Sequence, residues 1–376
     1  MTFKRIKPVV KKEFLQILRD KRSLSVLLVF PALLIMVVGF ALNFDVKHIP
    51  MAVFDQDKSS QSREFIRNFS NTEYFDVKYY IGGYDEVDEL LNNDNARIAL
   101  VIPPDFSKSL SLGRNANIQI IIDGSNANTA TTAIGYMSVI VQTYSQRIIE
   151  QTFQRVGVKM FLPIDFRPKI WYNPELSSAK FLIPGLIGFI LMISAVISTS
   201  LSVVREKERG TMEQMMVSSL HTVEIIIGKT LTYLFIALLA SVFVLVVGFV
   251  FFDVAVRGSI FWLYVGIFIF LLGGLGQGLL ISTITQNQQV AFMLAVLSSL
   301  LPTFLLSGFV FPIRSMPIML QIISNVTPAK FFLIVVRSVI VKGVGVEAFW
   351  DQLIYMIIFM VLMITISSVR LMRKVN

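Results

Sequence analysis

The sequence predicts an α-helical polytopic membrane protein with six transmembrane helices, a re-entrant or interfacial hairpin before the last, and an extracytoplasmic α/β domain inserted after the first. Three observations carry that expectation. Of 376 residues, 54% are hydrophobic and only 16% are charged, whereas soluble domains average about 25% charged. Five stretches contain no Asp, Glu, Lys or Arg. Each approaches or exceeds the roughly 20 residues that a helix needs to cross a hydrocarbon core, and one is long enough for two crossings. Throughout residues 43–179 charge returns and apolar runs shorten. Composition narrows the chemistry too. With no Cys, disulfide frameworks, thiolate metal sites and cysteine nucleophiles are excluded. His48 and His221 are the only histidines, and the topology below places them on opposite sides of the membrane, so a Ser/His/Asp arrangement is not credible. The 31 Phe argue against disorder.

Taken in order, residues 1–22 open with Phe3, Ile6, Val10, Phe14, Ile17 and Leu18 at helical spacing, with Lys4, Lys7, Lys11 and Lys12 between them. That pattern predicts an amphipathic helix on the inner membrane face. The first span covers 23–42; it is longer than a signal-peptide core and no small-residue cleavage site follows it, so it is expected to be retained. In the insert, 43–179, strand patterns at 50–54, 75–81, 96–102, 118–122 and 169–172 alternate with helical ones at 60–69, 84–91 and 129–155. Asp55 and Asp57 read as a turn and helix cap rather than a metal site. The remainder, 180–376, holds span two at 181–204 and span three at 230–252. Spans four and five, 259–284 and 290–311, are separated by the polar turn Thr285-Gln286-Asn287-Gln288-Gln289. Prolines at 312, 317 and 328 interrupt an apolar segment at 312–345, which reads as the hairpin, and span six covers 352–369.

Charge sets the orientation. The first 22 residues carry eight Lys and Arg, Arg205, Lys207 and Arg209 follow span two, and Arg370, Arg373 and Lys374 follow span six. An even number of spans puts all three groups on one side, the cytoplasm. The insert, with 16 acidic and 13 basic residues against a chain total of +9, then lies outside. The basic balance reports topology and a lipid bilayer partner, not nucleic acid.

Several motifs fail on inspection. Gly228-Lys229-Thr230 ends like a phosphate-binding loop, but Val223 stands where the first glycine is required. The run Gly273-Gly274-Leu275-Gly276-Gln277-Gly278 lies inside span four, where small residues let helices approach closely. Because no span holds the ionisable groups that membrane-embedded enzymes and ion-coupled carriers need, both are disfavoured. Ser194, Ser198 and Ser202 in span two, and Ser299 and Thr303 in span five, recur at i, i+4. They either line a pathway or make ordinary interhelical hydrogen bonds. After span two, Arg205, Glu206, Lys207, Glu208, Arg209, Gly210, Thr211, Glu213 and Gln214 form a dense segment of both charge signs. Thr211 can cap a short helix whose Met212, Met215, Met216 and Leu220 share one face, an element suited to docking a soluble partner.

Three segments together resemble the ABC-2 type permease family: Lys12-Glu13-Phe14 with Arg19-Asp20-Lys21 before span one, Glu206 to Glu213 after span two, and Ser307-Gly308 to Pro328 before span six. The insert after span one is similar to that of the family's bacterial drug-export branch. The resemblance implies a permease subunit of an ABC exporter in the bacterial inner membrane, moving a hydrophobic or amphiphilic compound. The chain itself would be no enzyme and bind no cofactor, because ATP and Mg belong to a separate P-loop ATPase. It implies pairing as a homodimer or with a sister permease, and in relatives with this insert a periplasmic adaptor and outer membrane channel. It further makes Phe3 to Leu18 the connecting helix and 205–222 the coupling helix, so that Glu206→Lys or Glu213→Lys should uncouple transport while leaving the chain in the membrane. The competing expectation is a membrane-anchored sensor or assembly protein with a ligand-binding or partner-binding outer domain.

Overall fold

The computed structural model describes residues 3–41, 46–155, 171–173, 177–211 and 221–375. It divides into two units, one formed by 1–43 with 169–376 and the other by 44–168.

Among the described residues of the first unit, six helices are long and apolar enough to cross a membrane. An amphipathic helix, α1 (Phe3–Arg19), precedes them. The six are α2 (Lys21–Ala41), α7 (Ser178–Glu208), α8 (Thr222–Phe252), α9 (Ile260–Ile284), α10 (Gln288–Leu306) and α13 (Trp350–Val375). Helices α7 and α9 are the most buried and form the centre, while α2, α10 and α13 leave most of their apolar surface outward, as lipid-facing helices do. The central helices approach through missing side chains. A Cβ added at Gly278 would stand 2.5 Å from the Val196 carbonyl oxygen of α7, and one at Gly276 would stand 3.1 Å from Met363 and Ile364 of α13. At Gly185, an added Cβ would meet the Phe309 ring at 2.0 Å.

These contacts give a prediction of opposite signs. Gly278→Ala must displace backbone, and overpacking of this kind costs about 1–3 kcal/mol. Gly135→Ala, in the helix α6 described below, meets nothing within 4 Å and should gain about 0.5–1 kcal/mol from helix propensity. Thermal midpoints of the detergent-solubilised variants check both; a Gly278→Ala midpoint at or above that of the unsubstituted chain would refute the packing account.

Before α13, where the hairpin is expected, lie a 3₁₀ turn at Ile313–Ser315, α11 (Ile318–Ser324), α12 (Pro328–Arg337) and a π turn at Ser338–Lys342, a bent pair that is either a re-entrant loop or a broken span. Its two arms, Ile318–Ser324 and Pro328–Lys342, are bent by 80°. Phe332 stacks on Phe270 of α9 at 4.0 Å, seating α12 against the centre. Arg337 ends α12 by donating to the carbonyls of Gly308 (3.2 Å) and Phe181 (3.3 Å), its guanidinium 4.2 Å from the Phe181 ring.

Residues 44–168 contain a four-stranded sheet in the order β2-β1-β3-β4. Its strands are β1 (Ile49–Asp55), β2 (Phe75–Tyr80), β3 (Ile98–Ile102) and β4 (Gln119–Ile122). Strand β1 is parallel to both β2 and β3, and β4 is antiparallel. Helices α3 (Ser60–Ser70), α4 (Tyr84–Asn92), α5 (Phe106–Ser111) and α6 (Ala127–Arg155) accompany it. Met51, Phe65, Phe69, Ile98 and Leu100 form its core with Ala133 and Met137 of α6. The Asp55 carboxylate is taken up by the Asp57 and Lys58 amides and the Ser62 hydroxyl, and Asp57 accepts from Ser107.

Two expected boundaries move. Helix α7 does not stop at 204; it continues through Arg205, Glu206, Lys207 and Glu208, so these residues form the last turn of a spanning helix and not part of a separate one. Helix α8 begins at Thr222 rather than near 230. In both cases charges read as helix ends belong to the helix itself, and one in each, Glu206 and Lys229, is buried because it finds partners there.

Candidate functional site

Those partners meet where α1, α7 and α8 converge. Amphipathic α1 buries Ile6, Val9 and Ile17. It can lie close to α8 because Gly228 has no side chain: a Cβ there would fall 2.6 Å from Val9 Cγ1. Phe14 meets Phe235 edge-on at 5.7 Å and fixes the rotation of α1. Glu13, beside Phe14, is thereby turned toward the residue following Gly228.

That residue is Lys229, which is 2% exposed. Its ammonium donates to Glu13 Oε1 at 2.9 Å and to Ser202 Oγ at 3.3 Å. Glu206 Oε2 is 2.7 Å away, an ion contact rather than a directed hydrogen bond. Glu206 is fixed from its other oxygen by Lys12, whose Nζ lies 2.6 Å from Oε1 and 3.3 Å from Glu13 Oε1. Glu13 and Glu206 are 2% and 5% exposed, whereas Lys12 is about half exposed. Among the described residues, two cations and two carboxylates thus form a network, neutral in sum, in which only Lys12 is substantially exposed. Burying an ion costs several kcal/mol unless it is paired and hydrogen-bonded, and each of the three buried members is both. Burial pulls the Lys12 ammonium down, but the Glu206 carboxylate bonded to it, aided by Glu13, more than reverses this and holds its pKa above the ordinary lysine value.

The rest of the last turn of α7 grips the turn between α9 and α10. Glu208 accepts from the Gln288 backbone amide at 2.7 Å and from its side-chain amide. Arg205 Nε donates to Gln288 Oε1 at 3.4 Å, and Lys207 donates to the Ser282 carbonyl. Gly210, at φ +69°, supplies the left-handed residue that ends α7, and the Thr211 hydroxyl donates back to the Glu206 carbonyl at 3.3 Å. Alternate residues of one helical turn therefore serve two assemblies, Glu206 toward α1 and α8, and Arg205, Lys207 and Glu208 toward α9 and α10. Glu213, Gln214 and the helix expected at Met212 to Leu220 lie outside the described residues.

The five hydroxyls expected on a pathway are not gathered. Ser198 and Ser202 line a cavity of about 390 Å³ with Gln16, Asp20, Arg205 and Tyr233. Ser299 and Thr303 are buried on α10 away from that cavity, and Ser299 returns its hydroxyl to the Ala295 carbonyl at 2.6 Å. Ser194, partly buried on α7, does not line it either. Sequence reasoning missed Glu13 and Lys229 because it judged each charge alone. The available signal was a lysine beside a glycine, with apolar residues on both sides.

Comparison with known proteins places this geometry in context. The profile of the ABC-2 family transporter protein matches residues 21–369. The chain is 33% identical over 350 residues to the "probable multidrug ABC transporter permease YbhS" of Escherichia coli (strain K12), covering 91% of this chain and 90% of that protein. It is 30% identical over 351 residues to YbhR of the same strain, described in the same words, covering 93% and 94%. The "ABC transporter G family member 20" of Dictyostelium discoideum is 23% identical over 373 residues, which span 97% of this chain and 50% of that protein.

Proposed function

Because the chain belongs to the ABC-2 transporter family, we propose that it is the membrane-spanning permease subunit of an ABC exporter and moves a hydrophobic or amphiphilic compound out of the cytoplasm. A separate P-loop ATPase binds the ATP and Mg²⁺ and docks at the cytoplasmic turn after α7. The observation that carries this reading is the ion network. It joins the start of that turn, through Glu206, to the amphipathic helix at Glu13 and to α8 at Lys229. A push on the turn is thereby delivered to three helices at once. ATP binding by the partner favours one arrangement of the spans and hydrolysis restores the other, a population shift set by differential contacts in the two states.

Supporting features complete the reading. The eight cations of the first 22 residues, with the cations after α7 and at the C-terminus, support a reading in which both termini lie in the cytoplasm of a bacterial inner membrane and residues 43–179 lie outside. Relatives carry the names "probable multidrug ABC transporter permease" and "inner membrane transport permease". The outward apolar surfaces of α2, α10 and α13 leave room for a second copy or a sister permease beside the lipid. A periplasmic adaptor and outer membrane channel are the partners suited to an outer domain of this size.

The test is purification of the tagged chain in mild detergent from its native membrane, with identification of what accompanies it and an assay of ATP hydrolysis. A stoichiometric P-loop ATPase is expected, together with ATP-dependent loss of an amphiphilic dye from intact cells. If no ATPase accompanies the chain, and crosslinking from Glu213 in whole membranes also captures none, the exporter reading fails.

A further inference from the structure

We propose that residues 44–168 contain a binding site for a small amphiphilic anion, formed by α5, α6 and the segment from Gly113 to Ile118 that leads into β4. The inference concerns this unit alone and does not depend on the transport reading.

A cavity of about 500 Å³ opens there, within the range of roughly 300–1,000 Å³ found for sites that enclose drug-sized ligands. Its floor is aromatic. Phe65 lies 5.5 Å from Phe106 and 5.0 Å from Tyr144, ring centre to ring centre, and all three are buried. Ile149 and Phe153 of α6 form part of the mouth and stay 42% and 39% exposed. Apolar groups left open around a concavity are one mark of a ligand-binding groove.

The polar features point to the class of ligand. Among the described residues Arg114 is the one charged side chain of the lining, and it forms no ion pair. It is held at the rim because Gly113 takes φ +64° and the Arg114 amide bonds the Ser109 carbonyl, which closes the end of α5. A guanidinium with no carboxylate partner beside an apolar, aromatic floor fits a carboxylate, sulfonate or phosphate on an aromatic or alicyclic body. Asn115 and Asn117 add neutral donors to the lining. The Tyr144 hydroxyl is buried without a partner, an unfavourable state that a ligand oxygen reaching the floor would relieve.

The absence of cysteine makes the site directly testable. Ser145 lines the cavity and is exposed, whereas Ser138, exposed on the same helix, does not line it. The full-length chain carrying Ser145→Cys or Ser138→Cys is placed in phosphatidylcholine nanodiscs and reacted with N-ethylmaleimide in the presence of 8-anilinonaphthalene-1-sulfonate. The expected result is at least a tenfold, saturable slowing at Ser145→Cys and none at Ser138→Cys. Arg114→Glu, an exposed substitution, should raise the half-protecting concentration tenfold or more, while Arg114→Lys raises it less. Protection by phosphatidylglycerol in the disc, without the sulfonate, would assign the same site to a lipid headgroup; protection by the sulfonate alone would assign it to a free compound. Equal protection of the two thiols, indifference to Arg114→Glu, or a Ser145→Cys thiol already unreactive without ligand would overturn the proposal.

Discussion

Lys229→Met is expected to remove most of the folded chain from the membrane, with a larger loss than any exposed substitution produces. The methionine keeps the length and apolar stem of lysine, so packing against α1 is preserved and the effect isolates charge. What remains is Glu13 and Glu206, 2% and 5% exposed, with the half-exposed Lys12 as their one shared cation among the described residues. Breaking a buried ion pair by removing one partner costs about 3–5 kcal/mol, a large part of the roughly 5–15 kcal/mol that holds a typical protein folded. The same reasoning predicts its own rescue. Adding Glu13→Gln to Lys229→Met removes one charge of each sign and leaves the Lys12 and Glu206 pair intact, so most of the abundance should return. Size-exclusion profiles and thermal midpoints of fluorescently tagged variants measure both steps. A single variant that melts with the unsubstituted chain, or a double variant worse than the single, would show that the network does not hold these helices together.

Why the six spans are legible and this network is not follows from the physics of each signal. A crossing helix must be apolar over about 20 residues whatever its neighbours are, so local composition reveals it. The glycines of span four are legible for a similar reason: in the middle of an apolar run, small residues serve close packing, and Gly273, Gly274, Gly276 and Gly278 all face another helix within 3.2 Å of an added Cβ. Helix ends obey a different rule. Charge marks an end only if the ion must reach water, and Lys229 need not, because its partners are Glu13, 216 residues away, and Glu206. Such compensation is a property of the packed structure: the glycine before Lys229 hints locally at a buried lysine, but nothing near it in sequence names either partner. The hydroxyls are a third case. Repetition at i, i+4 puts Ser299 and Thr303 on one face, but a helical serine can satisfy itself on the preceding turn, as Ser299 does with Ala295, and periodicity is blind to that choice.

The position of Glu206 also changes what a coupling experiment must look like. Read as part of an exposed loop, Glu206→Lys should leave the chain in the membrane and interrupt only communication with the ATPase. In the structure the substitution would place a third ammonium beside Lys12 and Lys229, with Glu13 as the single carboxylate among them. We therefore expect it to lose folded protein at least as severely as Lys229→Met, and absence of transport would then say nothing about coupling. A variant that tests coupling must keep the network neutral and the helices in place. Lys12→Gln with Glu206→Gln meets that condition: it removes one charge of each sign, retains hydrogen-bonding side chains of similar size, and leaves the Lys229 to Glu13 pair at 2.9 Å. The double variant should melt within a few degrees of the unsubstituted chain, since a neutral swap of a buried pair is often tolerated. If Glu206 carries the push from the turn after α7 into α1 and α8, ATP-dependent dye export should nevertheless fall at least tenfold while the accompanying ATPase still hydrolyses ATP. Export at the unsubstituted rate would leave the network a structural clamp and would move the coupling path to the other contacts of that turn, Arg205, Lys207 and Glu208 against Ser282 and Gln288.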